Sequence, residues 1–291
     1  MSSCIARRLA ALLTLLPLAA AAQIGISPRI LIVDLDHNPR GHSFRLLNLS
    51  PADISVEIEV AHFAMDEANR PIVAASTPDS LDQWLIVNPL RFDLPAGQSQ
   101  TVRLAFRPQQ QLAAGEYRAM IYFTEIPPPP PPDEPPKIRS RFRLGAAVYA
   151  FTGEERFAAD LLASGLTPPP GEAQAGNAGP ELWFEIENRG NRHVRLAGQW
   201  AIWRRAAYPG AAATQADPAL LRPDAVLPAG MLAAGALPTT PVLPGDRRTV
   251  RLTLPALAGD ETDLIVDLDG HLGEVVLDSV LNVTQVDDAA H

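Results

Sequence analysis

The sequence predicts an all-β protein built from two β-sandwich domains in tandem, and three observations predict it. Short segments in both halves of the chain alternate apolar and polar residues at period two. Clusters of turn-forming residues separate these segments at the spacing of a sandwich. Finally, 29 prolines among 291 residues favour turns and short elements over long helices. The length suits two domains. With 47% hydrophobic and 20% charged residues, the chain can bury a substantial core and is neither disordered nor collagen-like. Its 33 acidic and 24 basic side chains give a net charge of -9, which repels a phosphate backbone and argues against general nucleic-acid binding.

Residues 1–22 read as a secretory signal peptide. Arg7 and Arg8 precede an apolar run from Leu9 to Leu18, and Ala20, Ala21 and Ala22 stand before Gln23. An uncleaved anchor is the alternative, but the run is shorter than the roughly 18 to 20 residues that span a bilayer. Cleavage removes Cys4, the only cysteine, and moves the net charge from -9 to -11. The mature chain therefore has no disulfide, metal thiolate or cysteine nucleophile. No later stretch is long enough for a transmembrane anchor, so a soluble, exported protein is expected.

In the first half, Ser55 to Val60, Thr101 to Phe106, Arg118 to Phe123 and Ile138 to Val148 alternate as strands. Asn38-Pro39-Arg40-Gly41, Glu67 to Pro71 and Leu94-Pro95-Ala96-Gly97 supply turns between them. The second half repeats the texture in Leu182 to Asn188, His193 to Trp203, Thr249 to Leu254 and Asp263 to Leu268. There Leu243-Pro244-Gly245 precedes a strand as Leu94-Pro95-Ala96-Gly97 does. Residues 126–136 hold eight prolines interrupted by Asp133-Glu134, an extended connection that forms no ladder. A long loop within the first domain suits it better than a domain boundary, because the strand pattern from Ile138 would otherwise lose its sheet. The expected organisation is a signal peptide at 1–22, a first domain at 23–151 and a second at 152–291. Ala206 to Pro241, rich in Ala, Pro and Gly, is expected to form long loops.

No catalytic motif stands out. There is no nucleophile elbow, phosphate-cradling glycine loop or zinc-binding histidine pair, so no catalytic residue, metal site or cofactor is assigned. The six histidines are scattered, and His37 and His42 fall in a turn where solvation is expected. Asp267-Leu268-Asp269-Gly270 has part of a calcium loop's composition, but its glycine comes too early and no glutamate closes it; a strand end followed by a turn is the better reading. Asp34 and Asp36 read as solubilising carboxylates at a strand edge.

Four stretches, in order, carry a family resemblance. They are Ile26-Ser27-Pro28-Arg29-Ile30 with Arg45 to Ser50, then Val87 to Gln98, then Gln100 to Leu104, and then Gly115-Glu116-Tyr117-Arg118 leading to Glu125-Ile126-Pro127-Pro128. Residues 24–151 so read resemble the periplasmic chaperones of the chaperone/usher pilus pathway. Asn188 to Val194 is similar to the opening of that family's second domain. The Gly-Glu-Tyr-Arg stretch and the cysteine-free mature chain look more like the archaic or alternative branch. The resemblance implies immunoglobulin-like sandwiches set in an L. It also implies a non-enzymatic, nucleotide-free chaperone that lends a strand to pilus or fimbrial subunits and delivers them to an outer-membrane usher.

The resemblance places the lent strand on Ile138, Ser140, Phe142, Leu144, Ala146 and Val148, one side-chain set, with Arg139, Arg141 and Arg143 alternating against its first half. Arginines on an edge strand discourage self-pairing. An ordinary sandwich strand feeding its own core would show the same apolar alternation. Register must be fixed, since a one-residue slip turns every apolar side chain away. In the family, basic residues do this by binding the subunit's terminal carboxylate. Arg29 matches the family's first-strand arginine and has the planar fork a carboxylate suits; a solvated strand arginine is the alternative. The family's lysine on the lent strand is replaced here by Ala147, so Arg118 is the candidate second anchor. The other reading of the chain is an exported structural or adhesive module with no client.

Overall fold

The computed structural model describes residues 24–127, 141–167, 178–256 and 263–283. The expected signal peptide, Ile138, Ser140 and all but the first two residues of the proline-rich loop lie outside the described residues.

The first set of strands is β1 (Ile24–Ser27), β2 (Ile30–Asp34), β3 (Ser43–Asn48), β4 (Ile54–Ala61), β5 (Phe63–Met65), β6 (Pro71–Val73), β7 (Leu85–Asn88), β8 (Arg91–Leu94), β9 (Ser99–Phe106), β10 (Gly115–Ile126) and β11 (Arg143–Thr152). They form sheets ordered β1-β3-β9-β7 and β2-β11-β10-β4-β8, with β5 and β6 as a separate hairpin. The second set is β12 (Ala159–Thr167), β13 (Ala178–Asn188), β14 (Leu196–Arg204), β15 (Met231–Ala236), β16 (Arg247–Pro255), β17 (Leu264–Leu272) and β18 (Val275–Val283). Its sheets run β12-β13-β16 and β15-β14-β17-β18. Both sets place their strands in the two-sheet order of an immunoglobulin-like sandwich. Sheet membership changes between Thr152 and Ala159, and no described strand pairs across that point.

Alternation builds each core. In β4, Val56 and Ile58 point inward and Glu57 and Glu59 outward; in β9, Val102 and Leu104 are buried while Thr101 and Arg103 are exposed. These side chains meet Phe44, Ile121 and Phe123 between the sheets, and Phe44 packs edge-on to Phe123 with ring centroids 6.2 Å apart. Leu182, Phe184, Ile186, Val250, Val266 and Leu268 do the same in the second sandwich. Each such side chain contributes about 1.5–3 kcal/mol by leaving water.

The repeated Leu-Pro-Ala-Gly and Leu-Pro-Gly turns have one structural purpose. Asn48 at the end of β3 donates its Nδ2 to the carbonyls of Ala52 and Leu94, and its backbone carbonyl accepts from Gly97. Asn188 at the end of β13 donates to the carbonyls of Arg192 and Val242, and its carbonyl accepts from Gly245. Both asparagines are fully buried. Each clamps the turn that opens the next strand of its sheet.

Three expectations change. β15 lies inside the stretch expected to be loop, where the periodic signal is weak because its side chains are small. They are small because an indole lies against them: a Cβ on Gly235 would stand 2.5 Å from the Trp200 ring. The rest of that stretch includes short 3-10 turns at Arg205–Ala207, Ala211–Ala213 and Pro218–Leu221. Tyr208, Leu220 and Leu227 from it pack on Trp203 and Met231, covering the outer face of the second sheet. Asp267 to Gly270 is strand interior and not a strand end, since β17 runs on to Leu272 against both β14 and β18. Asp36 is more than a solubilising group: its carboxylate accepts from the Thr152 hydroxyl and the Gly153 amide, each at 2.7 Å, tying β2 to the end of β11.

Removing a clamp takes a donor from a buried carbonyl, that of Leu94 in the first sandwich. Asn48→Ala deserts the buried Leu94 carbonyl, while the exposed Ala52 carbonyl keeps the Ser50 hydroxyl, so it is expected to lower the unfolding free energy by about 1–3 kcal/mol. A urea melt followed by tryptophan fluorescence measures it, and a loss below 1 kcal/mol would refute the clamp.

Candidate functional site

The site begins with an incomplete pairing. β10 pairs antiparallel with the whole of β11, from Gly115 opposite Thr152 to Thr124 opposite Arg143. On the other side β2 pairs in parallel only from Ala147, opposite Ile30, to Phe151, opposite Asp34. The β2 side of Arg143 to Ala146 therefore has no partner strand among the described residues. The carbonyl of Phe142 accepts from Glu125 on β10 at 3.1 Å, and the amide of Ala147 donates to the carbonyl of Arg29 at 3.2 Å. Even-numbered residues thus turn their backbone groups to β10, and odd-numbered ones turn away. Arg143 and Gly145 carry the open hydrogen-bonding groups. The arginine pattern led to the expectation of an edge strand; β11 is one only over these four residues and is interior beyond them.

The apolar row divides accordingly. Ala146 and Val148 are 0% exposed in the protein's own core beside Ala119 and Ile121, so these two feed the sandwich, as an ordinary strand would. Phe142 and Leu144 are half-buried at the rim of the core, next to the open edge. Ile138, Ser140 and Arg139 lie outside the described residues. Arg143 stacks 3.8 Å over the Tyr122 ring and pairs with Glu59 at 2.8 Å, while Arg141 is exposed.

Arg29 stands where the open edge ends, immediately before β2. It is exposed, and no partner for its guanidinium occurs among the described residues. Arg118 lies two strands over, opposite Tyr149 on β10. Its neighbours Ala119 and Ile121 face the core, so Arg118 faces the other way, toward the second sandwich. Its Nε donates to the carbonyl of Phe63 at 3.0 Å, and its guanidinium sits 6.0 Å over that ring. Burial draws its pKa below the ordinary arginine value, against the favourable field of Glu116 and Asp246. The structure therefore places the two predicted arginines on the same sheet, one at its β2 edge and the other on its outer face.

That outer face meets the second sandwich. Phe63, Met65, Met120 and Tyr149 pack on Leu243 from the Leu-Pro-Gly turn. Arg248 of β16 donates to the carbonyls of Met65 and Asp66, and Asn69 donates to that of Thr249, all at 2.7 Å. Beside these contacts opens a cavity of about 750 Å³ lined by Met65, Asn69, Glu181, Arg248 and Arg251. At the other end of the junction the side chain of Glu116 is wholly buried, and its Oε2 lies 2.6 Å from His193 Nδ1 and 3.3 Å from Arg192 Nε. Arg192 is also 2.7 Å from Glu155 and stacks on Phe151 at 3.8 Å. His193 stacks on Tyr149 with centroids 4.0 Å apart. Sequence reading had noted Glu116 and His193 only as parts of motifs. Their pairing spans 77 residues and left no local signal.

The second sandwich carries one displaced titration. Asp269 faces Asp278 directly across the β17–β18 ladder, with Asp267 two residues before it on the same face. Its pKa is raised to about 6, first by burial and then by those two carboxylates. Asp267, 1% exposed, accepts from the Tyr208 hydroxyl at 2.9 Å. Burial and that bond push Tyr208 up to about 12. Among the described residues no group of His, Cys, Asp or Glu is placed to hold a metal ion, and no helix is long and apolar enough to cross a membrane.

Comparison with solved structures gives distant likenesses over nearly the whole chain. A chaperone–tip adhesin complex of CFA/I fimbriae is 15% identical with a TM-score of 0.44, covering 89% of this chain and 99% of the other. A CsuC–CsuE chaperone–tip adhesion subunit pre-assembly complex, from archaic chaperone-usher Csu pili of Acinetobacter baumannii, is 13% identical with a TM-score of 0.43, covering 91% and 100%. A Salmonella enterica SafA pilin in complex with the SafB chaperone is 13% identical with a TM-score of 0.40, covering 90% and 96%. No family model and no curated protein sequence matches the chain.

Two outcomes follow from these charges. Glu116→Ala leaves Arg192 and His193 buried without their shared carboxylate and is expected to cost about 3 kcal/mol in a urea melt; a neutral result would show that Glu155 alone suffices. For Asp269 the folded pKa exceeds the unfolded one, so its ionised form is penalised by folding. Its penalty is full above about pH 6 and fades as pH falls toward 3.8. The carboxylates held low, Asp34, Asp36, Asp66 and Asp82, titrate below that window. The melting temperature should therefore rise from pH 7 to pH 5, and Asp269→Asn should flatten the rise. An equal rise in the variant would assign the effect elsewhere.

Proposed function

We propose that this protein is an exported, non-enzymatic chaperone of the chaperone/usher type, which holds pilus or fimbrial subunits by strand addition and passes them to an outer-membrane usher. The observation that carries the reading is the open edge of β11. On the β2 side of Arg143 to Ala146 no partner strand lies among the described residues, the backbone groups of Arg143 and Gly145 face that side, and Phe142 and Leu144 stand half-buried beside them. A sandwich subunit lacking its last strand is complementary to such a site: backbone bonds give affinity, and alternate side chains filling a groove give specificity.

The reading keeps the whole row Ile138, Ser140, Phe142, Leu144, Ala146 and Val148 as the lent strand, with Phe142 and Leu144 as its accessible described members. A client strand occupying the open edge runs in line with β2 and ends against Arg29. Arg29 and Arg118 then receive its terminal carboxylate, each charge-assisted bond contributing roughly 1.5–3 kcal/mol. Register is thereby fixed at one end. The signal peptide at 1–22 exports the chain to the periplasm, and the junction after Thr152 divides a client-holding domain from a second sandwich. The client's incomplete fold supplies the driving force, so no nucleotide or cofactor enters.

Gly145 offers a clean test, because its amide faces the open edge and not β10. Tagged mature protein recovered from the periplasm of its own host should carry, near one-to-one, a small exported subunit whose sequence is one strand short of a sandwich. Gly145→Ala keeps the amide and, with the flexible Met120 side chain yielding to a Cβ 3.0 Å from its Sδ, should retain the client; Gly145→Pro removes the amide and should lose at least tenfold, as should Arg29→Ala and Arg118→Ala each. No stoichiometric client under pilus-expressing conditions would favour the exported structural module instead.

A further inference from the structure

The second sandwich adds a cation to the junction beside Arg118. Arg195, just before β14, donates its Nη2 to the Tyr149 hydroxyl at 3.3 Å and its Nη1 to the Thr239 carbonyl at 2.7 Å, with its guanidinium 5.7 Å from the Tyr149 ring centroid. Tyr149 is the cross-strand partner of Arg118. Two guanidiniums, one from each sandwich, therefore flank one buried phenol. Among the described residues neither forms an ion pair, whereas Arg192, Arg247, Arg248 and Arg251 each do. Both are only part-exposed.

Part-buried positive charge without a counter-charge is costly unless an anion arrives. The two acids whose fields favour Arg118 are already committed, Glu116 to Arg192 and His193 and Asp246 to Arg248. Burial raises the Tyr149 pKa, so the phenol stays neutral and cannot serve as the anion. Instead it fixes Arg195, accepting one of its hydrogen bonds. The site also lies at the right place along the strand: Tyr149 is two residues, about 7 Å, beyond Ala147, where the open edge ends.

We propose that Arg195 of the second sandwich is an anchor for the client's C-terminal carboxylate, shared with Arg118 and positioned by Tyr149. This rests on the carboxylate-anchor reading above and goes beyond it, because it makes the second sandwich part of the binding site. The closed carboxylate is then held from both sides of the junction, and the Glu116 contact, by fixing His193 two residues away, sets the reach of Arg195.

The probe is a synthetic ten-residue peptide of alternating valine and threonine, prepared with a free C-terminal carboxylate and as its C-terminal amide. Binding of both to the mature full-length chain is measured by fluorescence anisotropy. Wild type should prefer the carboxylate form by at least tenfold. Arg195→Gln should cut that preference severalfold with the amide's affinity unchanged, and Arg195→Lys, which keeps the charge, should retain most of it. If Arg195→Gln leaves the preference intact while Arg118→Gln abolishes it, the role of Arg195 is overturned and the anchor reading stands. If wild type holds both forms alike, or neither, the carboxylate site itself fails and takes Arg195 with it. The unchanged affinity of the amide form serves as the check that each variant is folded.

Discussion

The parallel register of β2 on β11 is the constraint on which the rest depends. Because Ile30 sits opposite Ala147 and not four residues earlier, β11 is saturated over its second half and open over its first. A β2 longer by four residues would close the edge and leave an ordinary sandwich. The chain reaches β2 from β1, which belongs to the opposite sheet, so residues 28–29 must cross between sheets. That crossing sets where β2 can begin. One local event thus fixes the length of the open edge, the half-burial of Phe142 and Leu144, and the position of Arg29 at its end.

The second dependence is electrostatic. Taking the charges of Glu116 and Arg192 out of water costs several kcal/mol per ion, and a buried cluster of this kind is seldom a net gain over apolar packing. Its value lies in geometry. Glu116 begins the same strand that carries Arg118, and His193 begins the segment that carries Arg195. Their bond therefore couples β10, which carries Arg118, to the segment that carries Arg195, two guanidiniums with no ion pair among the described residues. Leu243 and Arg248 secure the opposite end of the junction with apolar contact and two backbone carbonyls. With both ends held, the cations beside Tyr149 stay close with no ion pair of their own among the described residues.

Much of the fold could be read from the sequence, because alternation and turn chemistry are local. The strands around Val56, Leu104, Phe123, Phe184 and Leu268 and the parallel use of two Leu-Pro turns all appear as expected. What escaped had small or mixed side chains. β15 reads as loop because Gly235 and its alanines leave room for Trp200, and β12 reads as nothing because Gly165 does the same for Trp183. The site was half legible. A family likeness points to Arg29 and Arg118 as the proposed anchors, but whether β11 is an edge depends on a partner more than 100 residues earlier. Burial of Ala146 and Val148 likewise depends on which sheet lies behind them. Arg195 gave no signal, since its relation to Tyr149 exists only once two sandwiches have met.

An open strand edge is a hazard as well as a tool, and the residues around it show how the hazard is contained. Four residues open on one side among the described residues offer too few hydrogen bonds for stable pairing with another copy, since even two full strands are marginal alone in water. Arg143 flanks the edge with a charge that is itself tied to Glu59 and stacked on Tyr122, so it cannot swing away. Arg141 adds a second positive charge in solvent, which a second copy would have to bring against its own. In the proposed complex an incomplete sandwich offers more than hydrogen bonds, because its groove would take Phe142 and Leu144 while its carboxylate would meet the arginines. Selectivity in the proposed complex then follows from summation: pairing alone holds a partner weakly, and a strand that brings groove and terminal charge together is held far more tightly.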